Sequence, residues 1–299
     1  MSILSQRFFH DEDAAFAKLE SIVWPIGPVC PHCGCMGRIS EIKGKSARRG
    51  LKFCGDCRKQ FTVKVGTVFE SSHVPLHKWL QAAYLLCSSK KGISSHQLHR
   101  ILEVTYKTAW FMTHRLREAM RSGDFSPFGS DGGAVEVDET FIGRKKGVPV
   151  RHGYEHKHKV VSLVDRESGK ARSIVVDQLN TKTVAPIVRE NVAKEAHLMT
   201  DEAKHYVKVG REFADHKRVY HGSGEYGRGE AHTNTIEGFF SIFKRGMKGI
   251  YQHCGERHLH RYMAEFDFRY SERKCADAER TETALAGIKG KRLYYRQPE

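Results

Sequence analysis

The sequence predicts a multi-domain α/β chain: a metal-knit ribbon, then a helical region with a helix-turn-helix pattern, then a mixed-sheet domain. Three observations predict it. Two C-x-x-C pairs, Cys30-Pro-His-Cys33 and Cys54-Gly-Asp-Cys57, stand twenty residues apart. A helical period runs through 75–120, where Trp79, Ala82, Ala83 and Leu86 recur at helical spacing. Beyond a Gly-, Ser-, Pro- and Asp-rich stretch at 121–133, apolar residues begin to alternate as in strands. The lines of division fall at 1–69, 70–122, 130–275 and a basic tail at 276–299.

The N-terminal segment reads as a short amphipathic helix (Phe16, Leu19, Ile22, Val23) stopped by Trp24-Pro-Ile-Gly-Pro28. Residues 29–69 carry most of the cysteines with short β-like runs such as Gln60-Phe-Thr-Val-Lys-Val65. Four thiolates from two such knuckles are the donor set that a structural zinc ion takes, so Cys30, Cys33, Cys54 and Cys57 are the expected ligands of one Zn²⁺. His32 and Cys35 lie close enough to compete. A ribbon this small holds little core of its own, so the metal supplies much of its folding energy.

Ile93–Glu103 reads as a first helix, Val104–Lys107 as a turn and Thr108–Met120 as a recognition helix. Lys107, Arg115 and Arg117 are its DNA-binding candidates; two helices packed for structural reasons alone fit the same pattern. In the third zone Ala134–Ile142, Lys159–Arg166 and Ala171–Leu179 are strand-like, the last two joined by a turn at Asp165–Gly169. A helix follows, with Pro186 placing its start near Ala185. Short strands are expected at Ala196–Thr200 and Arg218–Tyr220. A helix opens at Thr235 with one apolar stripe of Ile236, Phe239, Phe240, Phe243, Met247 and Ile250. The tail is expected to be a helix followed by a loose end.

The charge speaks for a polyanionic partner. Lys and Arg number 50 against 35 acids, a net +15 over 299 residues. No apolar run approaches the ~18 residues of a spanning helix, and the N-terminus turns acidic where a signal peptide would be apolar. The eight cysteines are therefore expected in a reducing cytoplasm, as metal ligands or buried thiols. Gly222-Ser-Gly-Glu-Tyr-Gly227 matches a dinucleotide-binding spacing but has no βαβ context, so it reads as a loop near the site.

Three acids stand where two-metal phosphodiester chemistry would want them. Asp138 lies inside the apolar run Val135–Ile142, Asp201 ends His197-Leu-Met-Thr-Asp201, and Glu237 opens the aromatic-striped helix. Strand periodicity puts Glu136 and Asp138 on one face, opposite Val135, Val137 and Glu139. Each acid also has a plain structural reading: an edge residue, a helix cap, or, for Glu237 with Asn234, a capping box.

The order of these strings carries a resemblance over nearly the whole chain. It runs from Trp24-Pro-Ile-Gly-Pro28 into Cys30-Pro-His-Cys33, through Val65-Gly-Thr-Val-Phe69 and Val135-Glu-Val-Asp-Glu-Thr140, to Thr200-Asp201 and His232-Thr-Asn-Thr-Ile-Glu-Gly-Phe-Phe-Ser-Ile-Phe-Lys-Arg-Gly246. The chain resembles the insertion-sequence transposases of family fifteen-ninety-five, whose catalytic part is the ISXO-two-like domain. The resemblance implies an RNase H-like catalytic domain whose acidic triad corresponds to Asp138, Asp201 and Glu237, with 35 residues between the last two. Lys244, seven residues on, belongs to the pattern. Subgroups of the family complete the triad with Asn or Glu, and Asn234 stands nearby. It further implies two Mg²⁺ (or Mn²⁺) ions, cleavage and joining of DNA without a covalent protein intermediate, and binding to terminal inverted repeats. A homodimer or higher oligomer on paired ends and a cytoplasmic, nucleoid-associated location are expected with it. On the helix of Glu237, Lys244, Arg245 and Lys248 are the DNA-binding candidates. A zinc-ribbon regulator that does not cut, and a nuclease that hydrolyses without strand transfer, are the alternatives.

Overall fold

The computed structural model describes residues 2–150, 153–220, 227 and 229–294. They form two compact units, 1–121 with 275–299, and 122–274.

In the first unit α1 (Glu12–Val23) begins where Asp11 accepts the Ala14 N–H at 2.8 Å and buries Ala15, Leu19 and Val23. Strands β1 (Ile39–Glu41), β2 (Lys52–Cys54) and β3 (Gln60–Phe61) make an antiparallel ribbon in that order. Only Gln60 and Phe61 of the run to Val65 are strand, because the chain then turns on the Thr62 carbonyl, which accepts the Val65 N–H. Next come α2 (Leu76–Ser88), α3 (Ser95–Leu102) and α4 (Tyr106–Met120). Ser94 caps α3 and Thr105 caps α4; between them Glu103 adopts a left-handed φ of 51° that closes the turn.

The second unit is built on a five-stranded sheet of order β6-β5-β4-β7-β8. β4 (Ala134–Ile142), β5 (His158–Asp165) and β6 (Ala171–Val176) are antiparallel, while β7 (His197–Thr200) and β8 (Asp215–Arg218) run parallel to β4. Helices α5 (Thr181–Asn191) and α6 (Tyr206–Val209) cover one face, with Val135, Val137, Val184, Val188 and Leu198 between. Helices α7 (Asn234–Gly246) and α8 (Leu259–Ser271) cover the other, with Val160, Val164, Phe239, Phe243 and Phe266 between. This mixed sheet, closed on both faces by helices, is the RNase H-like domain that the resemblance implied.

Three expectations shift. Helix α5 starts at Thr181, four residues before the expected start, because Asn180 caps it by accepting the Thr183 N–H at 3.0 Å and Pro186 sits inside the helix. Its missing N–H forfeits one bond rather than setting the boundary. The last strand is Asp215–Arg218, displaced from Arg218–Tyr220; its charged sequence suits a sheet edge paired on one side only. The capping box of Asn234 and Glu237 is absent: Asn234 is itself helical, and Glu136 meets the Ile236 N–H instead.

After α8 the chain returns to the first unit. There α9 (Asp277–Ala286) packs against α1, α2 and α4, burying Ala284 and Leu285, and Ile288 and Leu293 beyond it are buried too. The expected loose end is thus packed at least to Leu293.

Candidate active site and metal centres

The two aspartates meet because of strand register. β4 and β7 are parallel neighbours, with Glu136 opposite Met199. Two residues further along the chain in each case stand Asp138, midway along β4, and Asp201, the first residue past the end of β7. β4 pairs with β7 only as far as Glu136 and runs on to Ile142, while β7 ends at Thr200, so the flank of β4 at Asp138 is left open where β7 stops. Carboxylate oxygens of Asp138, Glu139 and Asp201 lie within 4.8 Å of one another. Glu139, which strand periodicity sends to the opposite face, also brings a carboxylate oxygen to this group. Its Oε2 accepts the Tyr206 hydroxyl at 2.8 Å and lies 3.4 Å from His205 Nε2.

Crowding of like charge shows in the electrostatics. Burial raises the Asp138 carboxyl well above the usual carboxylate range, and Glu139, Asp201 and Glu237 push the same way. Burial likewise raises Asp201, with Glu139 adding to it. Hard oxygen donors that repel one another when ionised are what a divalent cation relieves, so the residues present fit such an ion.

Glu237 stands outside that group of three, yet its charge reaches Asp138. It is exposed on the first turn of α7 and accepts the Thr233 hydroxyl at 3.1 Å. Asn234 is exposed as well. Burial lowers the Lys244 ammonium, while the Asp138 carboxylate raises it. Lys244 is half-buried; Arg245 and Lys248 are exposed, and Arg245 donates to Ser241.

Glu136 organises the start of α7. Fully buried, it takes Arg166 Nε at 2.6 Å on one oxygen and the Ile236 N–H at 2.8 Å on the other. Arg166 in turn donates to the His232 carbonyl at 2.7 Å. Sequence reasoning placed Glu136 on the Asp138 face but gave it no role; an acid in an apolar strand, two residues from a catalytic candidate, was the signal available.

In the first unit the Sγ atoms of Cys30, Cys33, Cys54 and Cys57 lie within 4.8 Å of one another. Cys30 faces Cys57 and Cys33 faces Cys54, both at 3.6 Å. A tetrahedron with Zn–S of about 2.3 Å needs sulfurs about 3.8 Å apart, so the set is already spaced for the metal. The Cys57 backbone N–H leads the influences that hold the Cys54 thiol down to about 6, while its neighbour Cys33 is pushed up to about 12, so the clustered thiols do not ionise independently. His32 and Cys35 are not of the group.

The helix-turn-helix cations divide. Lys107 is exposed. Arg115 and Arg117 are buried: Arg115 donates to the Glu70 carbonyl at 3.0 Å and lies over Phe111, and Arg117 donates to Thr113 at 3.1 Å. Their guanidinium groups belong to the packing of the first unit, which corrects their expected placement on a DNA-facing surface. Of Gly222–Gly227, residues 222–226 lie outside the described residues. Among the described residues no helix is long and apolar enough to cross a membrane.

Comparison with known proteins agrees with this geometry. Residues 131–271 match the ISXO2-like transposase domain and residues 10–60 the transposase zinc-ribbon domain. A protein in transposable element ISH50 of Halobacterium salinarum, itself uncharacterised, is 29% identical over 253 residues, covering 79% of this chain and 83% of its own. One chain in the cryo-EM structure of the simian T-cell lymphotropic virus intasome with PP2A regulatory subunit B56 gamma is similar at a TM-score of 0.30 and 11% identity. It covers 57% of this chain and 63% of its own, and at that score the likeness carries no further argument.

Proposed function

Because the chain belongs to the insertion-sequence transposases of family fifteen-ninety-five, we propose that it binds the terminal inverted repeats of its element, cuts the DNA there and joins the ends to a target. The observation that carries this reading is the convergence of Asp138 and Glu139 of β4 with Asp201, which directly follows the parallel strand β7. Asp138, Asp201 and Glu237 would hold the divalent ions, Mg²⁺ or Mn²⁺, with Glu139 beside them. Two such ions, when bound, activate the attacking oxygen and stabilise the leaving one.

The residues of the chain do the remaining work. Lys244, close enough to feel Asp138, offsets negative charge gathering at the scissile phosphate; Lys248 and Arg245 follow it along the helix and hold the backbone. Water first attacks the phosphodiester, forming a new O–P bond as the bond to the 3′ oxygen breaks and that oxygen takes up a proton. The freed 3′-hydroxyl then attacks a target phosphodiester in the same way, without a covalent bond to the protein. Glu136 and Arg166 keep the first turn of α7 in place, and with it Glu237, whose charge reaches Asp138 and which would close on the ions when they bind. The ribbon, holding one Zn²⁺ on Cys30, Cys33, Cys54 and Cys57, and the surface near Lys107 would engage the repeat. A dimer or larger assembly would hold two ends together.

The test is to incubate purified protein with candidate terminal repeats, a target plasmid and Mg²⁺, and to map nicked and joined products. Joined products support the transposase reading. Nicks without joining would leave a hydrolytic nuclease, and binding without nicks a zinc-ribbon regulator.

A further inference from the structure

At the end of β4, lined by its last residues Phe141 and Ile142, opens a cavity of about 430 Å³, within the size range of small-ligand sites. Phe141, Tyr154, Lys157, His158, Lys244 and Lys248 contribute to its walls. Phe141 and Tyr154 stack, with ring centroids 4.3 Å apart and planes inclined by 23°. Tyr154 is nonetheless 55% exposed. The Lys157 ammonium lies 5.1 Å from the Tyr154 centroid. Lys244 joins this cavity to the chemistry, since it lines the wall and interacts with Asp138.

An exposed aromatic face rimmed by lysines suits one kind of DNA better than another. Bases in a duplex are stacked on each other and present only their edges. A base taken out of the stack presents its π-face, and its flanking phosphates need cations within a few ångströms. Phe141 stacks against Tyr154 and the Lys157 ammonium lies over the Tyr154 ring, where an incoming base would take its place, while Lys244 and Lys248 line the same cavity.

We propose that this cavity receives a nucleotide unstacked from the DNA next to the scissile phosphodiester, its base against Tyr154 and its phosphates among Lys157, Lys244 and Lys248. The proposal rests on the transposase reading and names how that site handles its substrate. Taking one nucleotide out of the helix lets the neighbouring phosphodiester reach carboxylates set partly within the sheet, Asp138 and Glu139 being midway along β4.

The experiment uses the full chain and two probes: a fluorescein-labelled short oligothymidylate, and a duplex of the same length. Tyr154→Ala should weaken single-strand binding by about tenfold, the scale of losing one base–aromatic stack, and leave duplex affinity where it was. Tyr154→Phe should restore it. An oligothymidylate bearing 5-iododeoxyuridine, irradiated on the wild type, should crosslink at Tyr154 or Phe141. Unchanged single-strand affinity in a folded Tyr154→Ala, or crosslinks mapping only to the first unit, overturns the cavity assignment while duplex binding leaves the transposase reading standing. Binding of neither probe by the wild type overturns both.

Discussion

At the scale of single residues the acid cluster makes opposite demands on stability and chemistry. Asp138 and Asp201 titrate above their unfolded values in the metal-free protein, burial being the first cause in both. Their stabilising contribution is therefore complete below the unfolded pKa and is lost as pH rises through the folded one. A divalent ion takes the place of those protons. Mg²⁺ at about ten times its dissociation constant adds roughly 1.4 kcal/mol, a rise of about 2–5 °C in melting temperature for a chain of this size. Differential scanning at pH 8 and at pH 5 should show that gain at the higher pH and little of it at the lower. Equal gains at both would separate the ion from these carboxylates. Asp138→Asn should abolish cleavage by at least ~100-fold, the scale of losing a catalytic group. It should also flatten the pH dependence of stability, with DNA affinity kept or raised because one repelling charge has gone. Glu139→Gln and Glu237→Gln then decide the third ligand. Single-turnover cleavage should fall at least ~100-fold in Glu237→Gln, with a smaller loss in Glu139→Gln; the reverse order would assign the role to Glu139.

At the scale of elements the site depends on how strand ends and helix starts are tied. Glu136 is a buried carboxylate whose two oxygens join β4 to Arg166 and to the first turn of α7. Glu136→Gln keeps an acceptor for the Ile236 N–H but removes the charge facing Arg166. It should cost about 2–3 kcal/mol by chemical denaturation and lower turnover through the displaced α7. Gly210 works on the other side. A Cβ there would stand 1.9 Å from His216 Nδ1, and His216 Nε2 lies 2.9 Å from the hydroxyl of Thr200, the residue before Asp201. Gly210→Ala should therefore destabilise by about 1–3 kcal/mol, the range of overpacking, and disturb Asp201; a variant as stable and active as wild type would show that His216 has room to move. The same elements explain what could be read without coordinates. Asp138 and Asp201 were legible because each is an acid in or directly after a strand-like run, where local pattern and chemistry coincide. Glu139 was not, because strict alternation sends it to the other face, and its place in the group depends on tertiary partners such as Tyr206, whose hydroxyl it accepts. β8 was misplaced since Asp215-His-Lys-Arg218 carries no apolar alternation, and its pairing to β7 is a tertiary event. Helix α8 passed unrecognised, its buried Arg261, Glu265 and Arg269 blurring the apolar stripe. Arg115 and Arg117 misled for the same reason: a cation in a sequence looks like surface until its partners, here Glu70 and Thr113, are known.

At the scale of the whole molecule the ribbon and the second unit differ in how much apolar core each can bury. The second unit has two apolar cores, one on each face of a five-stranded sheet, and needs no metal to bury them. The ribbon has strands of two or three residues and a cluster made largely of its own cysteines with Phe61 and Trp24 at their side. Such a cluster is too small to offset the entropy of ordering the loops around it, so most of its folding free energy must come from the metal. Chelation should therefore act locally. On stripping zinc with a strong chelator, amide exchange over 30–61 should rise towards the unfolded rate, while β4, β5 and α8 keep their protection. Cys54→Ser should do the same without chelator, and elemental analysis should fall from one zinc per chain to none. The functional consequence follows from that separation. If the ribbon recognises the terminal repeat and the acid cluster performs the chemistry, the stripped protein, resupplied with Mg²⁺ alone, should lose its preference for repeat over random duplex. It should still nick non-specific DNA slowly at low salt, where the net charge of +15 holds any duplex. That residual nicking should vanish in Asp138→Asn and should fall steeply as salt is raised, because every phosphate contact releases counterions. A stripped protein that still prefers its repeat would move recognition away from the ribbon, to the surface around Lys107.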